Sequence, residues 1–320
     1  MATQAVSSPW LSRFTDWIDE RFPWKNAVLF FILYLTVAVL TRASQEGVDL
    51  HLSLFDLGGC FLAWSFFLLI RIFDEHKDYE KDLHNHPHRV LQSGRITLGH
   101  LKAVAAVALL VQGLVAVGLD GGFGAVTTAW IALLVWLGLM GKEFFCGEWL
   151  EQRLPLYAIS HMAIMPFIVF WFAQLAAPGA QWNGPLIGLS ALALISGFAF
   201  EITRKTWGPE EERDTVDSYA RIFGLKRAIT YISLLVLAMT GLQAYLVWAL
   251  TGSLTVFGIA GLVLLAVLGL ALKTLLAFRR APSAEGREKN EAAVGIATLL
   301  GYVTLIVAVL SSQSFHWAVI

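Results

Sequence analysis

Nine apolar runs, each about 20 residues long, follow one another along this 320-residue chain, and no other feature limits its possible folds as tightly. Inside hydrocarbon no water is available to satisfy backbone N–H and C=O groups, so runs of this length cross as helices. They cover 27–43, 52–73, 98–118, 122–141, 154–177, 182–203, 225–250, 253–277 and 290–310. Charged residues make up only 15% of the chain, against about 25% in ordinary globular proteins. The first run follows a long polar-aromatic stretch and has no small-residue cleavage site after it, which is not the pattern of a removable signal peptide. The expectation is an all-α integral membrane protein with nine transmembrane helices, no soluble domain and no nucleic-acid-binding motif.

Orientation follows from the cations. When nine spans alternate, all of the 23 Lys and Arg except Arg42 fall in, or at helix ends bordering, segments 1–26, 71–97, 142–153, 204–224 and 278–289. By the positive-inside rule that side is cytoplasmic, which puts the N-terminus there and "SSQSFHWAVI" on the outer side of a cell membrane. Residues 1–26 form a separate element before the single 27–320 transmembrane domain. In "SPWLSRFTDWI", Ser8 suits a helix cap, Pro9 a first turn, and Trp10, Leu11, Phe14, Trp17 and Ile18 recur at helical spacing. That reads as an amphipathic helix lying in the cytoplasmic interface. Cys60 falls inside a span and Cys146 in a loop, so no disulfide framework is expected.

Two loops on the cationic side are long and charged. The first, "RIFDEHKDYEKDLHNHPHRVLQSGR", holds Asp74, Glu75, Asp78, Glu80 and Asp82 among five Lys/Arg and four His. Asp74, Asp78 and Asp82 are spaced i, i+4, i+8, so a helix continuing out of the membrane projects them from one face. Like charges that close repel, and the arrangement makes sense if a cation neutralises them. Oxygen ligands without Cys favour Mg²⁺, which takes one or two carboxylates and completes its shell with water and phosphate oxygens. Arg71, Lys77, Arg89 and Arg95 are placed to clamp that phosphate.

In the second loop, "FEITRKTWGPEEERDTVDSYARIFG", Glu201 lies at the membrane end of span six, where a carboxylate is costly. Arg204 and Lys205 follow at i+3 and i+4 and can pair with it. Glu210 and Glu211 suit the start of a helix after Pro209, and Glu212 can point back towards the first cluster.

On these motifs the chain resembles the UbiA superfamily of intramembrane prenyltransferases, along almost its whole length. That family has nine helices around a central cavity and two acidic motifs, after helices two and six. Its Asn-Asp-x-x-Asp-x-x-x-Asp maps onto "DEHKDYEKD", with Asp74 in place of Asn, Glu75 in place of the first Asp, and Asp78 and Asp82 matching. The family's Arg-Pro-x-x-x-Gly resembles "RVLQSG", which keeps Arg89 and Gly94. The second motif departs from the usual aspartate spacing, with Glu201, Glu211 and Glu212 as the nearby substitutes. Lys142 in "MGKEFF" resembles the family's diphosphate-contacting Lys after helix four, although Gly138 stands where a Tyr precedes it. The resemblance implies a Mg²⁺-dependent enzyme with Asp74, Asp78 and Asp82 catalytic and Glu75, Glu201 and Glu212 as further metal ligands. Arg71, Lys77, Arg89, Lys142, Arg204 and Lys205 would hold the diphosphate. An isoprenoid diphosphate and a hydrophobic acceptor, an aromatic ring or a lipid, are then the partners.

His161, within span five, is either a cavity residue or interhelical glue, and Pro166 is expected to kink that span. His84, His86 and His88 alternate like zinc ligands but lack a completing donor, so a solvated loop is expected. Two other functions stay open. A terpene cyclase would share the metal machinery and capture the cation with the substrate's own double bonds. A transporter would carry ionisable groups at mid-membrane, whereas the charges here sit at helix ends. A phosphotransferase acting on CDP-alcohols would need an Asp-Gly-x-x-Ala-Arg lead-in that is missing. Orientation is open to direct test: a reporter active only outside the cytoplasm, fused after Ile320, is expected to be active. Activity from the same reporter inserted after Asn85 would contradict the nine-span alternation.

Overall fold

The computed structural model describes residues 9–213 and 217–318; Ser8, expected at the first helix cap, lies outside them. The helices are α1 (Trp10–Arg21), α2 (Ala27–Ser44), α3 (Leu54–Lys77), α4 (Tyr79–Asn85), α5 (Leu98–Asp120), α6 (Ala125–Gly141) and α7 (Gly147–Glu151). There follow α8 (Leu154–Met162), α9 (Ile164–Ala176), α10 (Gly184–Arg204), α11 (Tyr219–Phe223), α12 (Leu225–Thr251), α13 (Leu254–Arg280) and α14 (Ala284–Ser312). Among the described residues, eight helices are long and apolar enough to cross a membrane, with α8 and α9 acting as one. The fourth expected span, α6, is a shorter apolar helix of 17 residues. At 1.5 Å per residue it is about 26 Å long, slightly under the ~30 Å of hydrocarbon. It starts late because Gly121, left-handed at φ 63°, ends α5, and the Asp120 carboxylate then accepts from Val126 N (3.1 Å) and Thr127 N (2.7 Å).

The fifth span breaks between α8 and α9 at Ala163. Pro166 lacks the N–H that would bond to Met162, so the ladder is interrupted just ahead of it, where the kink was expected.

Helices adjacent in sequence pack side by side from α2 through α3, α5, α6, α9, α10, α12, α13 and α14, and α14 returns to α2. The ring is thereby closed, with α2 also meeting α9 and α10 across it. Without a hydrophobic force between helices in lipid, close approach and interhelical hydrogen bonds hold such a ring. Gly59 shows the first device: a Cβ there would lie 2.0 Å from the Tyr34 ring. Buried Gln112 shows the second, donating to Ser65 Oγ (2.9 Å) and accepting from Trp130 Nε1 (3.1 Å), which ties α3, α5 and α6 together.

The end of the bundle away from the charged loops is latched by Arg42, the cation that the sequence sets apart. It is 4% exposed and pairs with Asp56 through Nη1 (3.0 Å) and Nη2 (2.9 Å). It also donates to the carbonyls of Ala176 (3.0 Å) and His51 (2.8 Å), and Asp56 accepts from Ser53 N (2.8 Å). Beside it, β1 (His51–Ser53) pairs in parallel with β2 (His316–Ala318), tying the α2–α3 link to the segment after α14. Truncating one member of a buried pair leaves the other charge uncompensated, at a cost of about 3–5 kcal/mol. Arg42→Ala is therefore expected to lower the unfolding midpoint in detergent sharply, and Arg42→Met with Asp56→Leu to recover much of the loss. An unchanged midpoint for Arg42→Ala would show that the latch carries no stability.

Candidate active site

The charged end is built outward from α3. Its helix ends at Lys77 and Asp78 sits at the junction with α4, but the backbone spacing survives the break. Asp78 N still donates to Asp74 O (2.8 Å) and Asp82 N to Asp78 O (2.8 Å), so the i, i+4, i+8 acids stay in helical relation.

Their charges are used differently. Glu75 is 1% exposed and is held by Arg21 Nε (2.6 Å) and Arg71 Nε (3.0 Å), while its Oε2 is buried with no hydrogen-bond partner among the described residues. Asp82 takes Arg89 Nη1 (2.6 Å) and Arg21 Nη2 (3.3 Å). Asp74 is partly exposed and reaches Arg71 only at 4.0 Å. Asp78 forms no ion pair within 4 Å among the described residues, and burial pushes its carboxyl above the usual range, with Lys77 opposing and Asp82 adding to the shift.

Arg21 is a residue the sequence reading missed. It ends α1, whose Trp17 and Ile18 are buried in the core while Trp10 and Leu11 stay exposed. The helix is strapped across the loop that follows α4. Glu20 accepts from Val90 N (2.9 Å), Arg13 donates to Arg95 O (3.0 Å), and Arg95 pairs with Asp16. Nothing local in "DERFPW" marks Arg21 as different from a snorkelling helix end.

The second unforeseen element is Tyr157 on α8. Lys77 donates to its hydroxyl and lies 4.9 Å from its ring centroid, and Lys205 lies 5.9 Å from the same ring. The ring therefore joins the ends of α3 and α10. Lys77 also pairs with Glu143 (2.8 Å), which the backbone places by an unusual device. Glu143, Phe144 and Phe145 are all left-handed, with φ of 48°, 53° and 58°. Three such non-glycine residues cost roughly 1–2 kcal/mol each, and strain of this kind collects at functional sites. Gly147 makes room for it, since a Cβ there would lie 2.1 Å from Glu143 Oε2.

Of the second loop, Glu201 is held by Arg204 (2.6 Å) and Lys205 (2.8 Å), and Arg204 is within electrostatic reach of Asp74. Glu212 is not brought to this cluster. It accepts from Ser218 Oγ and lines a separate cavity with Trp207 and Pro282, its Oε2 buried without a partner among the described residues. Glu211 pairs with Arg287 on α14 (2.8 Å), and Glu210 accepts from Ala284 N, a bond that holds its carboxyl below the usual range. His161 stacks on Tyr157 at 4.0 Å and its Nδ1 lies 2.8 Å from Tyr157 O, which places it beside the Lys77 cluster. Lys142 makes no ion pair among the described residues and opens onto a groove between α3, α5 and α6.

Among the described residues no three His, Cys, Asp or Glu side chains converge as a metal-holding group, the His84, His86 and His88 loop included. Mg²⁺ does not require such a cage, because one or two carboxylates with phosphate oxygens and water suffice. Asp74 and Asp78, the acids with no close guanidinium, are the donors that fit. A largely apolar groove of about 710 Å³ runs along α3 and α5 from Arg42 and Asp56 at the latched end up to Leu68, which precedes Asp74 by less than two helical turns, and is lined by Tyr34, Phe61, Trp64, Ala108 and Val111.

This architecture is that of an integral membrane protein of parallel and antiparallel helices with one charged end. No protein-family model matches the sequence, and no curated protein sequence matches it. Two solved structures do match in shape. One is described as that of a digeranylgeranylglyceryl phosphate synthase in membranes, with TM-score 0.59, 17% identity and 94% of this chain and 99% of that chain covered. The other is the apo structure of a UbiA homologue from Aeropyrum pernix K1, with TM-score 0.63, 15% identity and 87% and 97% covered. The chain has the UbiA fold.

Arg21→Ala would leave Glu75 with Arg71 alone. Loss of one partner of a buried carboxylate is expected to cost about 2–3 kcal/mol, read as a lower unfolding midpoint in detergent. Arg21→Lys should restore only part, because a single ammonium cannot fork between Glu75 and Asp82. A midpoint unaffected by Arg21→Ala would show that α1 is not anchored through this residue.

Proposed function

We propose that the protein is an intramembrane prenyltransferase that ionises an isoprenoid diphosphate and passes the prenyl group to an aromatic or lipid acceptor. One observation carries the reading. Two carboxylates free of close guanidinium pairing, Asp74 and Asp78, sit at the mouth of a helix ring, surrounded by cations from four helices or loops. The UbiA fold, and the digeranylgeranylglyceryl phosphate synthase among its structural neighbours, support the same class.

In this reading Asp74 and Asp78 hold Mg²⁺, which when bound supplies positive charge to the leaving diphosphate. Arg71, Arg89, Lys77, Arg204 and Lys205 surround the same point and offset the charge of an anion that the carboxylates alone would repel. Glu75 and Asp82 act mainly as anchors, since their oxygens already position Arg21, Arg71 and Arg89. The groove along α3 and α5 offers an apolar surface, continuing from Leu68 away from the charged end, on which the isoprenoid chain can lie. The N-terminus and the diphosphate face the cytoplasm, the side on which the cations lie.

Diphosphate release from geranylgeranyl diphosphate by the purified protein is expected to need Mg²⁺ and to stop with EDTA. Asp78→Ala should slow it by at least about 100-fold, the scale of losing one group that stabilises developing charge. Near wild-type turnover of Asp78→Ala at saturating Mg²⁺ would remove the central claim. Mass spectrometry of extracted lipids separates the outcomes: a prenylated acceptor supports transfer, whereas hydrocarbon or alcohol made without any acceptor identifies a cyclase.

A further inference from the structure

The groove between α3, α5 and α6 shares only Lys77 with the chemistry proposed above, yet it is built. It encloses about 590 Å³ at the charged end of the bundle. Lys102, one turn into α5, and Lys142, just beyond α6, stand on its rim, and neither is ion-paired among the described residues. Lys77 forms the third cationic edge but is already committed to Glu143 and Tyr157. His76 lines the groove as well; its Nδ1 lies 2.8 Å from Ile72 O, and its buried Nε2 has no hydrogen-bond partner among the described residues. Below the rim the walls are apolar, formed by Ile72, Phe73, Ala105 and Leu109. Gly138 completes the wall, and a Cβ added there would meet nothing within 4 Å, so the missing side chain is part of the open space.

We propose that this groove binds an anionic glycerophospholipid of the surrounding bilayer, its phosphate between Lys102 and Lys142 and an acyl chain along the apolar wall. Two features select that occupant. No Asp or Glu lines the groove among the described residues, so it offers nothing to hold the divalent cation that a diphosphate brings. Two uncommitted ammoniums above an apolar slot between transmembrane helices match one phosphodiester charge carried on hydrocarbon tails, the geometry of basic interhelical lipid pockets. A free anion would satisfy the lysines but leave the slot empty.

The test uses the full, delipidated protein in neutral detergent, titrated with phosphatidylglycerol, with phosphatidylcholine of the same chains, and with inorganic phosphate. The unfolding midpoint and the lipid retained in native mass spectra are read. Phosphatidylglycerol is expected to raise the midpoint saturably and to be retained, and the other two to do neither. Lys102→Ala with Lys142→Ala should weaken the apparent affinity about 30-fold, at the usual contribution of each juxtamembrane cation. Gly138→Phe should abolish retention with both lysines in place, because it fills the slot; the lysine pair alone decides if that variant fails to fold. An equal shift with inorganic phosphate would make this a free-anion site and overturn the lipid. Equal shifts with phosphatidylcholine, or unchanged phosphatidylglycerol affinity in the lysine variant, would overturn it too. None of these outcomes depends on prenyl transfer, so failure here leaves the proposed reaction standing.

Discussion

Glu75 sits at the membrane end of α3 with its side chain shielded from water, and much of the charged end follows from that placement. A carboxylate moved out of water costs several kcal/mol unless cations accompany it. Arg71, one turn earlier on the same helix, supplies one guanidinium, and Arg21 supplies the other from outside the bundle. Arg21 reaches Glu75 only if α1 is folded and laid across the loop after α4, where Glu20, Arg13 and Asp16 fasten it. The N-terminal helix is therefore a structural part of the candidate site. What holds α1 down also sets where Arg89 and Asp82 meet, since Arg21 touches both acids at once.

This arrangement divides four similar-looking acids by role. Arg21, Arg71 and Arg89 neutralise Glu75 and Asp82 and lock their rotamers, while Asp74 and Asp78 keep most of their acceptor capacity. On the facing side Lys77 and Lys205 bracket Tyr157 and are themselves steadied by Glu143 and Glu201. Cations fixed by carboxylate partners lose less entropy when an anion arrives than cations on free side chains. The strained left-handed turn at Glu143–Phe145 belongs to the same scheme, because a relaxed turn would aim Glu143 elsewhere and release Lys77.

The helices were legible in the sequence because the bilayer imposes one period and one length, and few side chains are needed to recognise them. The first acidic motif was legible for a related reason: i, i+4 spacing survives wherever the backbone is locally helical, even across the Asp78 junction. Contacts between elements distant in sequence were not. Arg21 meets Glu75 across 54 positions and Tyr157 meets Lys77 across 80, and neither carries a local pattern. The shortening of α6 depended on Asp120 acting as a cap, which an apolar run does not reveal. Lys142 illustrates the converse. Its resemblance to a diphosphate-contacting Lys suggested a clamp, but Lys142 faces the groove, while neighbouring Glu143 turns left-handed towards Lys77.

The two ends of the ring use buried charge in opposite ways. At the latch, Arg42 and Asp56 satisfy one another and two backbone carbonyls, and neither oxygen of Asp56 is left without a partner. At the charged end, Glu75 Oε2 and Glu212 Oε2 are the buried carboxylate oxygens without a hydrogen bond among the described residues. Native proteins rarely leave such atoms unmet, because each forfeits about 1–3 kcal/mol. The contrast is one of carboxylates: at the latch both oxygens of the buried acid are paired, and at the charged end each of two buried acids keeps one oxygen open. These unmet acceptors lie at the end where an incoming cation or donor gains most from a water-poor surrounding.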